Sequence, residues 1–118
     1  MEKETEILAF IDYLKERQEQ ITVKLEPYYE RIKTREQSAM NLYGCATPGD
    51  NILLNENAAI STVLSKITLD TNLDDLEKSI KQNCETEQSY YKKQSYHYQL
   101  KVIEDYREKL KKCEIKRH

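Results

Sequence analysis

Few side chains in this sequence are suited to acid–base, nucleophilic or metal chemistry, and their spacing limits what they can do. Only two histidines occur, His97 and His118. His97 stands between Tyr96 and Tyr98 with no acid three or four residues away, so nothing in its own segment would orient the ring as a general base. Its expected place is a surface or partly buried helix position. The cysteines Cys45, Cys84 and Cys113 are separated by 39 and 29 residues, which fits neither a compact zinc pattern nor a disulfide framework. They read as reduced thiols, and no metal or cofactor is expected. The stretch Gly44 to Asp50 places two glycines five apart, as a phosphate loop does. Asp50 stands where such a loop needs lysine, however, and a carboxylate there would repel the phosphate. The plentiful acids fall at the spacings of a solvated helix face. Enzymatic activity is therefore not expected, and neither is a small-molecule substrate.

The richest segment is Ser89 to Lys101, with four tyrosines and three lysines in thirteen residues. Interleaved aromatics and bases can stack on and neutralise single-stranded nucleic acid. Tyr91 and Tyr98, seven apart, also share one helix face, and tyrosine gives large contact area at low entropic cost. A protein interface is the preferred reading and nucleic acid the alternative. A second alternative is a membrane surface met by the basic end, Lys109, Lys111, Lys112, Lys116 and Arg117.

These segments need elements to position them, and the composition points to helices. The 118 residues are 34% charged with a net charge of −2, and leucine, isoleucine, valine and phenylalanine number 26, enough for one modest core. An all-α chain forming a single domain is expected: an elongated antiparallel helical hairpin or three-helix bundle with coiled-coil character. The breakers cluster between Tyr43 and Asp50, which reads as the principal turn. Charge divides the chain in the same way: residues 1–39 hold nine acids and seven bases, residues 40–69 two and one, and residues 70–118 ten and eleven. The expected organisation is a first arm over 2–42, a loop over 43–54, a short helix over 55–68 and a last arm over 72–117.

In the first arm, Ile7, Ile11, Leu14, Gln18, Ile21, Leu25, Tyr28 and Ile32 alternate steps of four and three, the seam of a coiled coil or helical hairpin. Pro27 predicts a break around Leu25 to Pro27, with helix resuming at Tyr28. The middle segment places Ile60, Val63, Leu64 and Ile67 at helical spacing behind an Asn55 cap, although its β-branched residues leave a strand open. The last arm starts at Thr71 or Asn72, each a capping side chain ahead of acids, and runs without Gly or Pro, a helix of about 65 Å if unbroken. Its two apolar stripes, Leu73 to Cys84 and Tyr96 to Leu110, do not share one phase. A stutter or unwinding is expected near residues 85–95.

The arms carry more seam than one short helix can cover, so the expected function is a protein–protein interaction module: a small subunit or adaptor of an intracellular complex. It would bind itself or a helical partner. The expected partner-binding residues are Ile11, Leu14, Ile21 and Leu25 of the first arm, with Tyr91, Tyr98 and Ile103 of the last. No apolar run reaches the roughly 18 residues of a membrane span, and the first residues are acidic where a targeting peptide is basic. The expected location is cytoplasmic or nuclear.

Overall fold

The computed structural model describes residues 2–37 and 46–117, with side chains over 5–34 and 46–112. Among the described residues the protein is all-helical, built from α1 (Glu2–Lys24), α2 (Glu26–Gln37), α3 (Pro48–Lys66), α4 (Leu73–Thr86) and α5 (Tyr90–Arg117). The molecule extends 54 × 39 × 24 Å with a radius of gyration of 17.0 Å. A compact chain of this length would have about 13.5 Å, so the body is elongated.

The break in the first arm is one residue wide. The Leu25 amide still donates to the Ile21 carbonyl at 2.9 Å, and Leu25 accepts from the Tyr29 amide at 3.0 Å. Helix resumes at Glu26 rather than at Tyr28, because Pro27 then lies in a first turn, where its missing N–H costs nothing. The expected arm end near Leu42 and the glycine turn at Gly44 lie outside the described residues.

The middle helix begins seven residues before the expected Asn55 cap. Thr47 Oγ1 accepts from the Asp50 amide at 3.0 Å, and Asp50 Oδ2 accepts from the Thr47 amide at 2.9 Å. With Pro48 in the first turn, this is a capping box. The Thr-Pro-Gly-Asp run reads as a breaker in sequence and acts as a helix start, so residues 48–54 are helix instead of loop.

The last arm is two helices, not one. Glu87 is extended with its amide reaching the Cys84 carbonyl, and the Ser89 amide donates to Glu87 Oε1 at 3.0 Å. The Ser89 carbonyl then accepts from the Lys93 amide, opening α5. The chain reverses here: Arg107 of α5 reaches Asp74 at 2.6 Å and Glu77 at 3.5 Å, close to the start of α4. The break falls where the apolar phase slips, and the slip is resolved by reversal, so the two stripes face each other across an antiparallel pair.

Polar contacts fix α1 and α2 antiparallel to α3. Arg17 holds Glu56 and Gln18 donates to Ser61 at 2.9 Å, while Arg31, further along the chain, pairs with Asp50 at the start of α3, so the two directions oppose. The core lies between them and α5: Ile7, Phe10, Leu14, Ile21 and Leu25 from α1 and its end, Ile60 and Val63 from α3, Ile80 from α4, and Val102, Ile103 and Tyr106 from α5. The Phe10 and Tyr106 rings meet at 4.9 Å between centroids.

This core corrects the expected use of the seams. Leu14, Ile21, Leu25 and Ile103 are 0% exposed, and Ile11 is half-buried against them. They fill the chain's own interior and are closed to a partner. The physical reason is that the longer α3 packs against α1, while α5, backed by the folded-back α4, closes the same core.

Candidate functional site

Every charged side chain of α3 is engaged within the molecule. Asp50 is held by the Thr47 amide and by Arg31, which keep its carboxyl below the usual carboxylate range. Glu56 receives both Arg17 Nε at 2.5 Å and Nη2 at 2.9 Å, and this pairing raises the Arg17 pKa. Lys66 donates to Gln99 Oε1 at 3.4 Å and lies 5.7 Å from the Tyr96 ring centroid. The residues α3 turns outward include Asn51, Asn55, Ala58, Ser61 and Ser65, all exposed and uncharged.

Beside this face lies a groove of about 530 Å³ between α3 and the first half of α5. α3 supplies Asn55, Ala58 and Ala59, whose short side chains leave the space. α5 supplies Tyr90, Tyr91, Gln94, Ser95 and Tyr98. Helical geometry explains the selection, since positions 91, 95 and 98 fall within about 60° of one another, whereas Lys92 and Lys93 lie about 100° and 200° around from Tyr91. In a chain that is 34% charged, a lining without a single charge marks this concavity off from the rest of the surface.

The groove has a fixed wall. Gln99, 1% exposed, donates from Nε2 to Ser95 Oγ at 3.2 Å while its oxygen accepts from Lys66. One buried amide thus ties α5 to the end of α3. Tyr90 and Tyr91 stand free of this network at 68% and 84% exposure, their rings 5.8 Å apart and edge-on at 76°. Tyr98, half-buried, carries the lining on toward Ile52, Lys101, Val102 and Asp105. Burial raises the Asp105 pKa there, and burial together with Asp105 raises that of Tyr13.

The other concave surfaces differ in kind. One of about 540 Å³ on α1 is lined by Lys15, Gln18, Glu19, Thr22 and Val23, and one of about 310 Å³ includes Asp12, Glu16 and Lys109. Both carry exposed charges.

Of the sequence-expected site residues, the structure brings Tyr91 and Tyr98 together in the groove and places the other five in or against the core. Sequence reasoning missed Ala58, Ala59 and Asn55. Their signal was the uncharged stretch on one side of α3, legible only once the helix start at Pro48 is recognised. It also missed that His97, exposed as expected, lies 3.8 Å from the buried Cys84 thiol across the α4–α5 turn. That pair stands alone: among the described residues no three His, Cys, Asp or Glu side chains gather to hold a metal. Cys45 and His118, and the side chain of Cys113, lie outside the described residues. No described helix is long and apolar enough to cross a membrane. Compared with known protein families, curated proteins and solved structures, the chain matches none of them.

Proposed function

We propose that the chain is a non-enzymatic helical binding module, a small subunit or adaptor of a cytoplasmic or nuclear protein complex, and that the α3–α5 groove is its contact surface. The observation that carries this reading is the uncharged lining beside two exposed tyrosines. Charge depletion with tyrosine enrichment distinguishes the centre of protein interfaces from ordinary surface. The groups on offer are amides, hydroxyls and phenols, which supply contact area and hydrogen bonds. The uncharged groove runs along α5 from Tyr90 to Tyr98, about 12 Å or a little over two helical turns, the length of a short docked segment.

This proposal differs from docking through coiled-coil seams, since the seams are internal. Lys92 and Lys93 point away from the groove by helical geometry, which weighs against stacking of a single-stranded nucleic acid there, because its phosphates would need them beside the rings. A photo-crosslinking residue placed at Tyr91 in the cell is the test. Polypeptide adducts at that position, exceeding those from Lys15 on the outer face of α1, are the expected result. Equal yields at the two positions, or nucleic-acid adducts at Tyr91, would overturn the proposal.

A further inference from the structure

Resting on that reading, we infer that the occupant of the α3–α5 groove is a second copy of this chain, paired about a two-fold axis. Such an interface must be complementary to itself, because the same patch faces its own image. The face meets that condition in shape. It carries a projection, Tyr90 and Tyr91, and immediately beside it a recess floored by Ala58 and Ala59. Two copies turned face to face set the rings of each into the recess of the other.

The face also meets the condition in charge. A charged side chain near a two-fold axis meets its own copy and is repelled, and none of the groove residues is charged. A strongly acidic or basic partner would find no complementary charge in the lining, since Asp50 and Glu56 are already paired inside the molecule and Lys66 lies outside the groove. The available area sets the strength. Tyr90 and Tyr91 at their exposures offer roughly 300 Å² per copy, so two copies with the groove floors bury on the order of 1,000 Å². That is the lower bound of a specific interface, so the dimer should be a weak one that forms only as concentration rises.

Sedimentation equilibrium of the full chain from 5 to 500 μM, at low and high salt, tests the inference. The expected result is a monomer–dimer equilibrium that changes less than about twofold between 0.05 and 0.5 M salt, because uncharged contacts are not screened. Ala58→Arg and Tyr91→Ala each weaken it at least tenfold. Both positions are exposed, so the circular dichroism of both variants stays that of the native chain. A monomer throughout this range, or a dimer that both variants leave unchanged, would overturn the inference. Crosslinks from Tyr91 to a different polypeptide, with a purified chain that stays monomeric, would overturn it while leaving the binding proposal standing. A monomer with no excess of crosslinks at Tyr91 would remove both.

Discussion

α3 has two long sides, and they are held in opposite ways. Toward α1 and α2 it is pinned by Arg17–Glu56, Gln18–Ser61 and Arg31–Asp50 over an apolar core. Toward α5 it packs through Ile60 and Val63 against Val102 and Ile103, with the buried Gln99 amide at mid-helix, and beside the first turns of α5 it opens into an uncharged groove. The pinned side places directional, charged pairs at its edge, which fixes a single register. On the open side the wall is fixed while the apolar and aromatic groups remain uncovered. Stability and binding are thereby assigned to different faces of one helix, and substitutions on the two faces should separate cleanly.

The largest effect belongs to the pinned side. Ile21→Ala or Leu14→Ala should cost about 2–4 kcal/mol in chemical denaturation, since each is fully buried, against less than about 0.5 for Lys15→Ala on the solvent face. Equal losses would mean that α1 does not pack by this face. Breaking the part-buried pair by Glu56→Ala should cost about 1–2 kcal/mol, because the Arg17 guanidinium is left without its bidentate partner. Thr47→Ala should cost about 1 kcal/mol by removing the cap of α3.

A smaller effect concerns pH. Because the folded Asp50 carboxyl titrates below its unfolded range, its contribution is full above that range. It is lost as pH falls through the lowered folded value. Asp50→Asn should therefore lower the melting temperature at pH 7 and make no difference once both states are protonated in strong acid. Asp105 has the opposite sign. Burial raises its folded pKa, so its carboxylate opposes folding at neutral pH, and Asp105→Asn should raise the melting temperature at pH 7 with a gain that shrinks toward pH 3. The smallest stability change is expected on the open side, where Tyr91→Ala should stay within about 0.5 kcal/mol of wild type.

The all-helical fold was legible because the apolar spacing of α1 and the capping residue of α4 are local signals: Ile7, Leu14 and Ile21 are buried at the intervals their spacing implies, and Asn72 accepts from the Asp75 amide. Two features were not legible, for physical reasons. Pro48 and Gly49 favour both a turn and a first helical turn, and the choice rests on the reciprocal Thr47–Asp50 bonds. At Glu87 to Ser89 no breaker residue occurs, so a phase slip could end in a stutter or a reversal. The reversal is secured by partners more than thirty residues away, such as Arg107 with Asp74. The candidate site was half legible for the same reason: Tyr91 and Tyr98 lie on one helix face by arithmetic, but the recess beside them is made by α3, which no spacing within α5 reveals.

Concentration-dependent amide chemical shifts of the full chain test most directly whether the uncharged side of α3 is the binding face. Residues 55–59 and 90–98 should shift together as concentration rises through tens of micromolar, while Lys15, Glu19, Thr22 and Val23 on the outer face of α1 stay still. Shifts centred on Lys15, Glu19, Thr22 and Val23, or spectra unchanged up to 500 μM, would contradict it.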